Sequence, residues 1–236
     1  MAQAIYREWF VHFRFPGYKK LKLVNSPLGP IPIGWPVVSF TEIADVLSGG
    51  TPRTTEPSYW NGTVPFFTPK DAPGDAYVIT TKKQITEEGL DRCNSRLYPG
   101  GTVFITARGT VGKVVLAGSD MAMNQSCYAL RGRDGIGQTF LFLATRGMAD
   151  ALRGRSHGAV FDTIIIDTFR LTQVVKPPLT LVRSFEESVE PVFSLILNLQ
   201  RRNEKLRQTR DFLLPKLNSG EVDVSDLDIN VGDAAA

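Results

Sequence analysis

Residues 182–217 read VRSFEESVEPVFSLILNLQRRNEKLRQTRDFLLPKL. Within them Val182, Phe185, Val189, Val192, Ile196, Leu199, Asn203, Leu206, Arg210, Leu213 and Leu217 follow in alternating steps of three and four. That alternation averages 3.5 residues, the repeat that keeps one stripe of a helix against a partner helix along its whole length. A stripe this long cannot fold back and cover itself. The spacing therefore predicts a rod of roughly 50 Å, at ~1.5 Å per residue, that needs a second helix. Asn203 and Arg210 interrupt the apolar stripe; polar seam residues fix register and orientation, or else mark a stretch that faces water. The expected pairing residues are Val192, Ile196, Leu199, Asn203, Leu206, Arg210, Leu213 and Leu217. Pro191 is expected to kink or restart the rod, so that the clean supercoil begins at Val192.

Outward from the rod, Pro177-Pro178 followed by Thr180 mark a domain edge and a helix start, and Gly220 marks the stop. Val37 to Lys176 has a mixed texture. Strands are expected at Val37–Phe40, Val64–Thr68, Tyr77–Thr80, Thr102–Thr106, Val111–Ala117, Ser126–Leu130 and Leu171–Val175, which are rich in β-branched and aromatic residues. Thr41 can cap a short helix reaching Leu47, and Gly137 to Arg153 has a helical apolar face. Ahead of this, Ala4 to Phe15 reads as a short helix with one sticky face (Ile5, Trp9, Phe10, Phe13), stopped by Pro16-Gly17. Asn25 to Pro36 reads as an extended linker, and Trp35 as a plug at the start of the next domain. The expected fold class is α+β: a mixed α/β domain over 25–178 with a twisted β-sheet and flanking helices, then a long coiled-coil helix over 179–220. An N-terminal helix and basic linker (1–24) and an acidic tail (221–236) flank them.

With 42% hydrophobic and 22% charged residues, the 236-residue chain fits one globular domain plus the rod. The net charge of +3 hides an asymmetry: five of the 24 acids lie in Asn218–Ala236 with no base, so the preceding residues carry 27 bases against 19 acids. A basic body suits a polyanionic partner. Cys93 and Cys127 have no metal-ligand spacing and read as reduced thiols. No apolar run approaches membrane-spanning length and no signal peptide opens the chain, so a soluble, cytoplasmic protein is expected.

An enzyme needs a constellation of reactive side chains, and none assembles here. His12 and His157 lie far apart without ligand spacing. Arg108-Gly109-Thr110-Val111-Gly112-Lys113 is too short for a phosphate loop and lacks its Ser/Thr. Lys176-Pro177-Pro178-Leu179 lacks both the polar first residue and the aromatic last residue of an amino-methyltransferase motif. No catalytic residue, cofactor or metal is expected.

Several loops instead combine glycine with hydrogen-bonding side chains. Ser48-Gly49-Gly50-Thr51-Pro52-Arg53 lets the backbone approach a ligand, with Thr51 and Arg53 as donors, or makes an ordinary turn. Thr68 and Lys70 follow an apolar strand. Arg108 and Thr110 sit at a tight turn between strands, where an arginine can grip guanine bidentately, pair with phosphate, or form a surface ion pair. Asn124 and Gln125 carry the amides that read adenine, although such amides more often hold a bend together. Lys82, Lys83, Arg155 and His157 would supply phosphate contacts or a solvated face.

The order of these parts resembles the DNA-specificity (S) subunit of type I restriction-modification systems. The likeness rests on Leu28-Gly29-Pro30-Ile31-Pro32-Ile33-Gly34-Trp35, on Leu47-Ser48-Gly49-Gly50-Thr51-Pro52 with Tyr59-Trp60-Asn61-Gly62, on Ile85-Thr86-Glu87-Glu88-Gly89-Leu90, and on Asn203-Glu204-Lys205-Leu206 with Leu213–Val222. The resemblance implies one target recognition domain that reads half of a bipartite double-stranded DNA target. It also implies a conserved helix that sets half-site spacing and docks methyltransferase (modification) subunits, with a restriction/translocase subunit joining the same complex. Family members hold two such domains and two antiparallel helices. This chain would therefore be a half-subunit or a C-terminal half, its matching helix coming from a second copy or from the other half. Ala4 to Phe15 resembles the tail of the preceding helix. The competing expectation is a coiled-coil interaction scaffold that binds no DNA; a stand-alone methyltransferase is disfavoured by the missing motifs.

Overall fold

The structure, a computed structural model, describes residues 1–155 and 163–222, and the chain divides into two units, Met1–Leu197 and Asn198–Ala236. The first unit opens with helix α1 (Ala2–Tyr6), which widens into a π-helical turn over Arg7–Val11. A hairpin follows, β1 (Leu23–Ser26) with β2 (Gly29–Pro32), then β3 (Val37–Ser39) and β4 (Ala44–Ser48). Next come β5 (Trp60–Phe67), β6 (Tyr77–Val78), β7 (Lys83–Ile85) and the one-turn helix α2 (Glu87–Asp91). The central strands are β8 (Val103–Thr106), β9 (Val114–Ala117), β10 (Ala122–Met123) and β11 (Cys127–Gly132). Helices α3 (Gln138–Arg155) and α4 (Ile166–Leu171), strand β12 (Gln173–Val175) and helix α5 (Leu179–Asn218) complete the order.

The core is organised by a mixed five-stranded sheet in the order β4-β11-β8-β9-β6. All four residues of β8 are buried, because both faces of the sheet are covered. Side chains alternate between faces along a strand. Val103 and Ile105 accordingly join a cluster with Phe140, Phe142, Phe169 and the first half of α5, whereas Phe104 turns the other way to Phe67, Tyr98 and Met121. On that second side lies a three-stranded sheet, β10-β5-β7, whose Phe66, Ile85 and Ala122 form a smaller cluster of their own. β12 pairs with β3 beside Phe40 and Phe169, whose rings lie 5.7 Å apart.

Helix α5 meets the rest of its unit along Val182, Phe185, Val189 and Phe193, all buried. These steps of three, four and four follow the straight α-helical period, not the 3.5-residue seam. As a result Phe193 is buried where the seam placed Val192, while Val192 and Ile196 lie half-buried against the same cluster. The first half of the stripe is thus covered by its own domain, and the expectation that the whole stripe needs an outside helix is corrected. Nor does Pro191 restart the helix, which runs unbroken from Leu179 to Asn218. Pro191 and Glu187 are both exposed, so the carbonyl that loses its proline N–H partner is open to water.

Other expectations also change. The residues after Thr41 form strand β4, not a helix: Ser39 caps a single 3-10 turn (Phe40–Glu42), and Ala44–Ser48 pairs along its full length with β11. Asp45 lies within ion-pair reach of Arg133 (3.4 Å) and Arg131 (3.9 Å), contacts that only the paired strand allows. Part of the expected linker, residues 25–36, is the β1–β2 hairpin, with Gly29 at φ +92 in its turn. The N-terminal helix ends at Val11, short of Phe15, and Phe13 takes a positive φ. Its sticky face is nonetheless used, Phe10 lying 4.8 Å from Phe140 and 5.1 Å from Phe185 between ring centroids.

The start of α3 is held by a side chain from α5. Glu186 Oε1 accepts from the Phe140 N–H at 2.7 Å, and a Cβ on Gly137 would overlap its carboxylate. Burial pushes the Glu186 carboxyl up from the usual glutamate range, against the lowering effect of the backbone N–H groups of Phe140 and Thr139. A raised native value means that the folded chain binds a proton the unfolded chain has already lost. This contribution is therefore present at low pH and disappears as pH rises from the ordinary glutamate value, about 4.3, through the native one. Glu186→Gln is expected to flatten that decline in stability, measured as Tm against pH; an unchanged slope would show that the carboxyl does not titrate as described.

Candidate nucleic-acid interface

The strand directions bring the candidate loops to one end of the two sheets. β4 ends at Ser48 and β8 at Thr106, while antiparallel β11 begins at Cys127; the register pairs Tyr128 with Ser48 and Cys127 with Thr106. β5 and the parallel strand β10 end together at Phe67 and Met123, and β7 begins at Lys83 opposite Phe66. Loops 49–54, 68–71, 107–112 and 124–126, together with Lys82 and Lys83, therefore share one edge.

Hydrogen bonds stitch these loops into a surface. The Gly50 N–H donates to the Met123 carbonyl (3.1 Å), and the Asn124 N–H to the Phe67 carbonyl (3.0 Å). The Thr51 hydroxyl donates to Gln125 Oε1. Ala107 and Arg108 N–H groups both donate to the Ser126 carbonyl, at 2.8 and 3.3 Å. Asp71 accepts from the Thr68 N–H (2.8 Å), the Thr68 hydroxyl (2.6 Å) and the Lys82 N–H (2.9 Å), which consumes the acid inside the loop. Asn124 Oδ1 accepts from the Ser126 N–H at 3.1 Å, so this amide helps hold the bend and leaves its NH₂ free of described partners.

The glycines of the first loop do a different task from the one expected. A Cβ on Gly49 would lie 2.3 Å from the Asn124 carbonyl oxygen, and one on Gly50 would lie 2.6 Å from the Asn94 nitrogen. The close approach they permit is to the protein's own backbone, and both are buried. Ser48 is exposed, and its carbonyl accepts from the Tyr98 hydroxyl at 3.0 Å. The Arg108–Lys113 segment is the β8–β9 turn, with Gly109 and Gly112 at φ +77 and +80 and the Thr106 hydroxyl bonded to the Thr110 carbonyl. Its Lys113 Nζ donates to the Ala72 carbonyl (3.2 Å), beside the 68–71 loop.

Charge at this edge is lopsided. Arg53, Lys70, Lys82, Lys83 and Arg108 are exposed, and none forms an ion pair with a described residue. Lys83 Nζ lies 5.0 Å above the Trp60 ring, whose Nε1–H donates to the Arg53 carbonyl at 3.1 Å. Elsewhere in the unit, Arg131, Arg133, Arg153, Arg170 and Lys176 each have an acid within 4.0 Å, whereas Arg7, Lys22, Arg92, Arg146 and Arg183 form no ion pair with a described residue either. Arg155 is the last residue of α3, and His157 lies outside the described residues. Among the described residues, no group of three metal-binding side chains occurs, and no helix is long and apolar enough to cross a membrane.

Among the described residues of the second unit, the exposed large apolar side chains are Leu199, Leu206, Phe212, Leu213, Leu214, Leu217 and Val222. Asn203 and Arg210 are exposed between them, and Arg210 pairs with Asp211 at 2.7 Å. Near the loop edge lie Ser95, Tyr98 and Arg96, which sequence reasoning passed over, and Trp60 beneath Lys83, which it noted only within the family likeness. Ser95 and Tyr98 bond to partners 28 and 50 positions away, which no local motif announces.

One loop edge of a helix-backed sheet thus gathers unpaired cations and fixed amides. The profile of the family described as type I restriction modification DNA specificity domain matches residues 32–181, and the chain belongs to that family. It is 28% identical over 188 residues to the type I restriction enzyme MjaIX specificity subunit of Methanocaldococcus jannaschii, covering 78% of this chain and 44% of that protein. It is 22% identical to the HindI specificity subunit of Haemophilus influenzae, covering 81% of this chain and 42% of the relative. The chain thus spans less than half the length of these two curated relatives. In fold it is similar to the S subunit structure from M. genitalium (TM-score 0.59, 14% identity, 92% of this chain and 53% of that one). It is likewise similar to the HsdS subunit from Thermoanaerobacter tengcongensis (TM-score 0.53, 21% identity, 91% of this chain and 49% of that one).

Proposed function

We propose that this chain is a non-catalytic, sequence-specific DNA-recognition subunit of a type I restriction-modification complex and reads one half of a bipartite target. The observation that carries this reading is the loop edge itself. It lies within the region matched by the family profile, and its five cations lack acidic partners among the described residues. Unpaired lysine and arginine on a loop edge release counterions when they meet phosphates. The fixed loops around Thr51, Arg108, Asn124 and Gln125 are stiff enough to discriminate base edges, because an immobilised donor loses little entropy on contact. Helix α5 sets half-site separation. Its apolar residues from Leu199 onward pair with a matching helix from a second copy or the other half of the subunit, and this region docks the methyltransferase subunits that carry the chemistry. A restriction/translocase subunit joins the same assembly.

The binding component of this reading is tested by titrating salt against duplex affinity, with the chain bound to its methyltransferase partner. If Arg53, Lys70, Lys82, Lys83 and Arg108 engage phosphates, they contribute about −4 to −5 to the slope of the logarithm of affinity against the logarithm of salt. A flat profile would favour the scaffold that binds no DNA.

A further inference from the structure

We propose that the loop Asn94–Leu97 forms another arm of the recognition edge and that Arg96 is its phosphate contact, an assignment that rests on the DNA-reading function above. Three separate ties bring this loop to the edge. The buried Ser95 hydroxyl donates to the Met123 carbonyl (2.9 Å) and accepts from the Met123 N–H (3.1 Å), directly before Asn124 and Gln125. Gly50 lies so close to the Asn94 and Ser95 backbone that a Cβ there would come within 2.6 Å of the Asn94 nitrogen. Tyr98, which follows the loop, donates its hydroxyl to the Ser48 carbonyl at 3.0 Å. The loop is therefore fixed between the Ser48–Arg53 and Met123–Ser126 segments.

The Arg96 side chain has a distinct setting. It is exposed, forms no hydrogen bond or ion pair with any described residue, and lies close enough to Tyr98 to oppose the rise that burial imposes on that phenol. The acids nearest in sequence, Glu87, Glu88 and Asp91, lie on α2 and do not pair with it. A guanidinium that no neighbour orients lacks the fixed plane required for bidentate reading of guanine. Phosphate, which accepts from a wide range of directions, suits it.

The chain with its methyltransferase partner is assayed on two probes: a duplex enriched from a randomised pool, and an unrelated duplex of equal length. Arg96→Ala is expected to weaken both by roughly tenfold near 0.1 M salt and to reduce the salt slope by about 1. Arg131→Ala, which removes a cation paired with Asp45 toward the other end of the sheet, is the control and leaves both unchanged. Both side chains are exposed, so matching melting curves verify the fold. Wild-type affinity and slope in the Arg96 variant would overturn the assignment while leaving the DNA-reading function intact. A loss confined to the enriched duplex would overturn the phosphate role. If the wild-type assembly binds neither probe, the DNA-reading function falls and this contact with it.

Discussion

Phe185→Ala is expected to destabilise the first unit by about 3–5 kcal/mol. The ring is fully buried, with centroids 5.1 Å from Phe10, 5.8 Å from Trp9 and 6.0 Å from Tyr6, and 6.5 Å from Phe140. Truncation removes the contact that joins the N-terminal segment, α3 and α5, and the surrounding rings cannot collapse fully into the gap. For a domain of this size such a loss lowers Tm by roughly 6–20 °C. Calorimetry of the whole chain reads it as a shift in the transition of the first unit. A loss below about 1 kcal/mol would mean that α5 is not part of that core. The neighbouring pair sharpens the test: Phe193→Ala should cost more than Val192→Ala, because Phe193 is 5% exposed and Val192 only half-buried. A seam that governed the whole helix would reverse that order.

The second large effect lies in the second unit. Leu199→Glu combined with Leu206→Glu is expected to abolish association with the matching helix and docking of the methyltransferase subunit, while the melting of Met1–Leu197 stays unchanged. Leu199 and Leu206 are 49% and 58% exposed. Their loss from a closed interface removes about 3–6 kcal/mol of apolar burial, before the added cost of burying carboxylates. That corresponds to at least a roughly hundredfold weaker association. Sedimentation reads the assembly state, and co-elution with the methyltransferase subunit reads docking. Unchanged behaviour in both would refute the pairing role of these leucines.

Much of the fold was legible because its signals are local. β8 and β11 announce themselves by β-branched and aromatic residues, α3 by its apolar face, and α5 by its long stripe. What escaped depends on distant partners. β4 was misread as a helix because Thr41 looks like a cap, whereas pairing with β11 and the Asp45 ion pairs decide the outcome. Lys83–Ile85 becomes a strand only through its pairing with β5. The 3.5-residue seam and the 3.6-residue stripe coincide at Val182, Phe185 and Val189, so sequence alone could not tell a domain-facing helix from a partner-facing one until they diverge at Val192 and Phe193.

At the candidate site, glycine, amide and cation signals pointed to six separate segments, and topology gathers five of them onto one edge; the sixth, with Arg155 at the end of α3, runs into His157 outside the described residues. Their division of labour was not legible. Gly49 and Gly50 approach the backbone of 94–95 and 123–124, Gln125 is held by Thr51, and Asn124 braces its own turn through Ser126. Ser95, which pins one loop through a residue 28 positions away, carries no motif that would single it out.

The most direct test of the central claim is selection from a randomised duplex pool by the chain assembled with its methyltransferase partner, followed by sequencing of the retained DNA. The account predicts an enriched half-site of defined bases, retained most strongly at low salt. Recovery of a pool with no base preference, at salt low enough for binding to be complete, would contradict it.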